Sequence, residues 1–291
     1  MKRLEGKAAI VTGAGTGIGE AIAHKFALEG AHVLVSGLPG DPVEAVAAAI
    51  REQYPDVRVE FLAADIAEQE NAEACVRQAV AAFGKLDVLV NNAGTLPETN
   101  ELQDFSTDSF EKLIHNNIYS AFMMTRAALP ELQKTRGNVV AAGSEAGVNG
   151  TPMFTPYGAT KGWMHAFIKG VAMEQAKHGV RANCFCPGPI DTYFTNPDVG
   201  PMDDQLAEMT VTATAMGRLG TSEEMANVAA FLASDEASYV TGALFLADGG
   251  VTPAHGLLGE QVPAELKRYP PAQLKLSQQL SGGESDKPTG E

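Results

Sequence analysis

Short apolar runs alternate along this chain with segments whose apolar residues recur at helical spacing. Ala8-Ala-Ile-Val11 is the first run, and Ile18, Ala21, Ile22 and Phe26 then follow at the one-face spacing of a helix. His32-Val-Leu-Val35 predicts a second strand. Asp41 and Pro42 predict a capped helix start, with the helical pattern running to about Tyr54. A strand is expected over Val57 to Leu62, a helix over Gln69 to Phe83 and a strand over Leu86 to Val90. A longer helical stretch covers about Thr107 to Leu132. Val139 to Ala142, Val180 to Cys186 and Ala243 to Leu246 predict further strands, separated by helical patterns at about 156–178 and 222–233. Short apolar strands alternating with helices imply a parallel sheet covered on both faces. The predicted fold class is therefore α/β, a doubly wound sheet of about seven strands in a single domain over residues 1–252. The chain shows no internal repeat.

Residues 253–291 differ, being rich in Pro, Gln, Ser and Gly. Ser281 to Glu291 carries almost no apolar content and is predicted to be disordered. His255 to Leu280, with scattered leucines and Pro270-Pro271, reads either as an arm packed on a subunit or as a loose tail.

Composition narrows the classes. With 291 residues, 45% hydrophobic and 20% charged, the chain is ordinary globular material. A net charge of −15, from 21 basic and 36 acidic residues, argues against nucleic acid and anionic lipid as partners. No apolar run is long enough to predict a membrane span. Met1 to Lys7 lacks the apolar core of a secretory signal, and the odd count of cysteines (75, 184, 186) suits a reducing cytoplasm. Cys184 and Cys186 share a strand face but are not placed to close a disulfide easily. No metal-ligand spacing appears, so no metal is expected, and the six histidines read as surface or packing residues.

The candidate chemistry starts with Tyr157-Gly-Ala-Thr-Lys161, with Ser144 thirteen residues before the tyrosine. Residues four apart share a helix face, so a phenol and an ammonium converge. A free tyrosine titrates at about 10 and is a poor base at neutral pH, and a nearby cation favours its phenolate. Such a tyrosine can exchange a proton with an alcohol or a carbonyl oxygen. The first strand leads into Thr12-Gly13-Ala-Gly15-Thr-Gly17-Ile-Gly19, with a helix behind it. Glycines there let the backbone approach a pyrophosphate, whose charge is favoured at a helix N-terminus.

Taken together these motifs resemble the short-chain dehydrogenase/reductase family, in its standard rather than its extended branch, over about residues 4–252. Residues 12–19 look like the cofactor loop, with Gly13, Thr16, Gly17, Ile18 and Gly19 against the cofactor. Asp65-Ile66 resembles the pair that contacts adenine, and Asn91-Asn92-Ala93-Gly94 the family's strand-end motif, with Asn92, Ala93 and Gly94 against the ribose. Asn91 reads equally as a structural tie. Pro187-Gly188-Pro-Ile190-Asp-Thr192 resembles the segment that holds the nicotinamide carboxamide. Gly217-Arg218, Ser234-Asp235, Tyr239 to Gly242 and Asp248-Gly-Gly250 fit the C-terminal pattern. The resemblance implies a Rossmann-type fold and a catalytic set of Tyr157, Lys161, Ser144 and Asn117. Tyr157 would be the general acid/base at the substrate oxygen. Lys161 would lower its pKa and bind the nicotinamide ribose. Ser144 would orient the substrate oxygen, and Asn117 would hold a water linking Lys161 to solvent. Asn117 is chosen over Asn116 because it precedes the Ile-x-x-x-Phe pattern, and an asparagine there also suits a helix distortion.

The chain departs from the family at the end of the second strand. Gly37 stands where an aspartate is usual for NAD, and Leu38 where an arginine is usual for NADP. Thr16 stands where NADP users often carry a basic residue, and Asp41 is nearby. With no cation to meet a 2′-phosphate, NAD(H) is favoured over NADP(H). Glu145 follows Ser144 directly, and either faces solvent or favours a hydroxylated or cationic ligand from inside the pocket. Residues 193–216 correspond to the family's variable substrate loop, where Tyr193, Phe194, Met202, Met209 and Met216 suggest an apolar cover. Leu96-Pro97 and Met153-Phe154 are further wall candidates.

The expected activity is interconversion of a secondary alcohol and a ketone with NAD or NADP. The competing reading is a silent, cofactor-binding regulator of the same fold, which the filled catalytic set disfavours. An enoyl reductase of the same superfamily is expected to space its tyrosine and lysine more widely. The resemblance also implies a homo-oligomer, a tetramer or dimer, built on the helices near 107–132 and 156–178 and the last strand.

Overall fold

A computed structural model of the protein describes residues 2–193, 195, 200, 202–253 and 262–276. The chain begins with β1 (Ala8–Thr12), α1 (Gly17–Leu28), β2 (His32–Gly37), α2 (Val43–Gln53) and β3 (Val59–Ala63). It continues through α3 (Gln69–Phe83), β4 (Val88–Asn91), α4 (Thr107–Leu113), α5 (Ser120–Thr135) and β5 (Asn138–Ala142). It then runs through α6 (Thr155–Gln175), β6 (Arg181–Pro187), α7 (Asp204–Thr212), α8 (Ser222–Ala233) and β7 (Leu244–Ala247).

The seven strands form one parallel sheet in the order β3-β2-β1-β4-β5-β6-β7. The chain therefore turns back across β1 after β3 and continues outward through β4. The strand order reverses between β1 and β4, and a ligand cleft is expected beyond the carboxyl ends of the strands at such a point. The apolar content of the strands is explained by helices on both faces. Val11, Val35 and Phe185 face a layer that includes Phe26, Val46, Ile50 and Leu232. Ile10, Leu34 and Val139 face the other, with Val76, Met124, Leu132 and Ile168. Burying one such side chain stabilises by about 1.5–3 kcal/mol.

Local signals set the element ends. Gly84 ends α3 in the left-handed region at φ 82. Thr221 and Glu224 form a reciprocal capping box at the start of α8. Three expectations need correction. The stretch expected as one helix over 107–132 is split by a π turn at Ile114–Tyr119 between α4 and α5. Asp41 does not cap α2; its carboxylate turns back to accept the Leu38 N–H at 2.7 Å, and Pro42 occupies the cap position without a side-chain bond. Helix α7 lies inside the stretch read only as a substrate loop, where Asp203 caps it through the Leu206 N–H at 2.8 Å.

Part of the C-terminal extension packs on the same chain. Leu274, 3% exposed, joins the core layer under α8. The N–H groups of Gln273 and Leu274 donate to the Glu223 carboxylate at 2.8 and 3.2 Å. The expected disorder of Ser281 to Glu291 lies outside the described residues. Among the described residues, no helix is long and apolar enough to cross a membrane.

His24 on α1 is fully buried, and neither ring nitrogen has a hydrogen-bond partner. Burial lowers its pKa to about 4. Its folded value lies below its unfolded value of about 6.5, so the unfolded chain binds the extra proton first as pH falls. Stability from this group is full above pH ~6.5 and is lost toward pH ~4, a change of about 3 kcal/mol. His24→Leu should remove that component. Melting temperature followed from pH 7 to 4 is expected to fall less steeply in the variant than in the parent; parallel curves would refute this.

Candidate active site

At the β1 end the backbone itself forms the site. Gly13 and Gly17 have φ of 60 and 57, a region that L side chains rarely adopt. A Cβ on Gly13 would lie 2.8 Å from the Ala93 Cα, so the glycine loop and the β4 end touch directly. Thr12 fixes that contact. Its Oγ1 donates to the Val90 carbonyl at 3.1 Å and accepts from the N–H groups of Asn92 and Ala93, each at 3.0 Å. The Asn92 amide donates to the Thr12 and Gly13 carbonyls, each at 3.1 Å. Asn91 is structural in its contacts, donating to Thr125 Oγ1 at 2.8 Å.

These residues open a cleft of about 650 Å³ across the strand ends. Every residue assigned to the cofactor lines it. Gly13, Thr16, Gly17, Ile18 and Gly19 form one wall, and Gly37, Leu38, Asp65 and Ile66 lie at one end. Asn92, Ala93 and Gly94 lie along it, with Pro187, Gly188, Ile190 and Thr192. Thr192 stands against Gly17, since a Cβ there would meet its methyl at 3.6 Å. The Asp65 carboxylate is already engaged, by His115 Nε2 at 2.8 Å and the Ala67 N–H at 3.0 Å. Asp41, which sequence reasoning placed only as nearby, lies on the lining beside Gly37 and Leu38. Lys161 is the sole cation among the described lining residues, and it lies with the catalytic set.

Ser144, Tyr157 and Lys161 line the same cleft. Tyr157 and Lys161 sit on α6, with the ammonium 5.6 Å from the phenol ring centre. Lys161 is buried and donates to the Ala142 carbonyl at 2.9 Å, which holds it at the β5 end. Ser144 follows β5, and its Oγ accepts the Ala146 N–H at 3.1 Å at the head of a short 3-10 turn, Glu145–Gly147. That turn lies directly on α6. A Cβ on Gly158 would come within 2.7 Å of the Ala146 carbonyl, and one on Gly147 within 2.7 Å of the Lys161 carbonyl carbon. Small residues at both contacts let the serine reach the tyrosine and lysine.

Asn117 is placed differently from the other three. It lies buried in the π turn and does not line the cleft, whereas its neighbour Asn116 does. Its side chain accepts the Thr95 N–H at 2.7 Å and donates to the Thr95 carbonyl and Thr160 Oγ1, each at 3.1 Å. It thus ties the loop after β4 to the helix that carries Lys161. The π turn shows the anticipated distortion, and such turns occur frequently at functional sites.

Glu145 lines the cleft, so the ordinary expectation of a solvent-facing carboxylate does not hold. Burial raises its pKa to about 7, with Asp248 and Cys186 adding to the shift and Asn149 opposing it. A carboxyl with that value is partly protonated near neutral pH, so it can donate as well as accept a hydrogen bond. Opposite chemistry comes from Leu96, Phe154 and Met202, which form a small apolar cluster packed against Tyr157. Of the predicted cover, Tyr193 and Met202 line the cleft, while Met209 and Met216 do not and are exposed. Of the other wall candidates, Leu96 and Phe154 line it, and Pro97 and Met153 do not. Phe194 lies outside the described residues.

The residues present fit a dinucleotide: a glycine cradle at a helix N-terminus, a long cleft at the point of strand reversal, and a hydroxyl, phenol and ammonium at one end. Comparison with known proteins agrees. A family model described as enoyl-(acyl carrier protein) reductase matches residues 13–252. An L-fucose dehydrogenase of Bos taurus is 36% identical over 279 residues, covering 92% of this chain and 98% of its own. An L-rhamnose 1-dehydrogenase (NAD(P)(+)) of Sphingomonas is 37% identical over 254 residues, covering 86% and 98%. The crystal structure of a levodione reductase superposes with a TM-score of 0.82 at 30% identity, covering 87% and 100%. The chain belongs to the short-chain dehydrogenase/reductase family. It is an oxidoreductase that uses a nicotinamide cofactor on CH–OH groups.

Proposed function

We propose that the protein oxidises one hydroxyl of a small polyhydroxylated ring, with NAD as the preferred cofactor and Tyr157 as general base. The bound cofactor supplies the hydride acceptor at its nicotinamide ring. The chain's residues handle the oxygen and its proton. Ser144 Oγ and the Tyr157 phenol, both on the cleft lining, orient the reacting hydroxyl. The Tyr157 phenolate, favoured by the Lys161 ammonium, removes the hydroxyl proton and becomes the phenol, which then passes that proton to solvent. In the reverse direction Tyr157 protonates the carbonyl oxygen. Asn117 acts as a positioning residue, holding Thr95 and Thr160 around Lys161.

The observation that carries the substrate class is the division of the pocket beside Tyr157. Leu96, Phe154 and Met202 offer an apolar wall, and Glu145 a carboxyl able to donate as well as accept. A sugar ring with a deoxy edge suits both sides, which fits the L-fucose and L-rhamnose named for the two relatives. NAD is favoured because Asp41 lies beside Gly37 and Leu38 while no described lining cation stands there to meet a 2′-phosphate. The enoyl reduction in the family model's description is disfavoured by the interval from Tyr157 to Lys161. Exposed Phe110, Tyr119 and Phe122 near α4 and α5, Met173 on α6, and Phe245 and Leu246 on β7 support a homo-oligomer through those elements.

The test is a panel of 6-deoxyhexoses, hexoses, cyclic diols and simple alcohols, run with NAD and with NADP and read by absorbance of the reduced nicotinamide. The highest kcat/KM is expected for a 6-deoxyhexose with NAD. A clear preference for NADP, or for a simple apolar alcohol, would overturn the corresponding part of the reading. Light scattering is expected to show an oligomer; a monomer would remove that proposal.

A further inference from the structure

Beneath the serine turn, on the side away from the cleft, three soft donors meet. His165 lies one helical turn after Lys161 on α6, and Cys184 and Cys186 lie on β6. All three are buried, at 5%, 0% and 0% exposure. Their donor atoms lie within 4.8 Å of one another. The Cys186 Sγ is 3.3 Å from His165 Nε2 and 4.0 Å from the Cys184 Sγ. Tetrahedral zinc, with Zn–S of about 2.3 Å and Zn–N of about 2.0–2.1 Å, sets donors about 3.8 Å apart for S–S and about 3.6 Å for S–N. The two observed separations bracket those values. The linear spacing hides this group, because a helix and the strand behind it supply the donors.

We infer that His165, Cys184 and Cys186 form a binding site for a thiophilic divalent cation, zinc or cadmium, and that filling it inhibits the enzyme. Binding replaces the two thiol protons, which pass to solvent, and leaves two thiolates and a neutral imidazole on the ion. The loaded site then carries no net charge, so it places no added repulsion beside the Lys161 ammonium. The inhibition follows from packing. The Ser144 N–H approaches His165 Nε2 at 3.5 Å, and a metal on that nitrogen takes the acceptor away. Gly143 has no slack against the cluster, since a Cβ there would lie 2.5 Å from His165 Nε2 and 2.7 Å from the Cys184 Sγ. An ion wedged among these atoms displaces the Gly143-Ser144 backbone, and with it the Ser144 hydroxyl.

The test is titration of the reduced full chain with cadmium, followed by thiolate-to-metal absorbance in the ultraviolet and by bound metal per chain. One ion per chain is expected, with turnover falling in step and returning on chelation. Cys186→Ser should abolish the absorbance. His165→Gln should weaken binding at least about 10-fold, the loss typical of even an outer-sphere partner. Cys75→Ser, at the buried cysteine outside the cluster, should change neither. Retained nicotinamide-cofactor binding would show that each variant has folded. No thiolate absorbance in the parent, or equal absorbance in Cys186→Ser and the parent, would overturn the site. Binding without loss of turnover would overturn the inhibition.

Discussion

Tyr157→Phe should lower kcat/KM by roughly 10²–10⁴-fold, the usual contribution of one positioned acid/base. The substitution removes a single oxygen from a side chain on the cleft wall and leaves α6, the serine turn and the glycine loop in place. The cofactor dissociation constant, measured by fluorescence of the reduced nicotinamide, should change little. This pairing separates the enzyme from a silent cofactor-binding protein of the same fold. A variant that turns over as fast as the parent would mean that another group moves the proton. A variant that no longer binds cofactor would mean that Tyr157 holds the site together rather than acting at the substrate.

Gly19→Ala should weaken cofactor binding by roughly 5–150-fold, if an overpacking cost of about 1–3 kcal/mol falls on the loop. A Cβ at this first turn of α1 would collide with the Gly13 carbonyl oxygen and lie 2.6 Å from the Asn92 amide nitrogen. Both are backbone-anchored, because Thr12 and Asn92 lock the loop to the end of β4. Relief requires the cradle to open. Gly170→Ala is the matched control, since a Cβ there on α6 meets nothing within 4 Å. It should leave cofactor affinity unchanged. Equal affinities in the two variants would show that the collision at Gly19 is absorbed elsewhere.

Chemistry imposed by the backbone or by one short helix face was legible in the sequence. Gly13 and Gly17 are needed where φ is positive, and Tyr157 and Lys161 share one turn spacing, so both show in the linear order. The central strands were legible because burial on both faces leaves them mostly apolar. What escaped depends on contacts between distant segments. Asp41 looked like a helix cap, but the Leu38 N–H draws its carboxylate to the end of β2. Glu145 looked like a surface residue because nothing local shows that the turn after Ser144 lies pressed against α6. The π turn holding Asn117 leaves the apolar spacing of a helix almost intact, so the stretch read as one uninterrupted element. Leu274 reads as one leucine in a polar tail, and only its packing into the core layer, pinned by Glu223 on α8, accounts for its burial.

The central claim is direct transfer of a substrate's carbon-bound hydrogen to the cofactor while Tyr157 takes the hydroxyl proton. The most direct measurement uses the best sugar from the panel, deuterated at its carbon-bound positions, with oxidised NAD in ordinary water. Nuclear magnetic resonance of the reduced cofactor is predicted to show one deuterium at the nicotinamide C4 for each turnover. Reduced cofactor carrying only protium at that position would contradict the account.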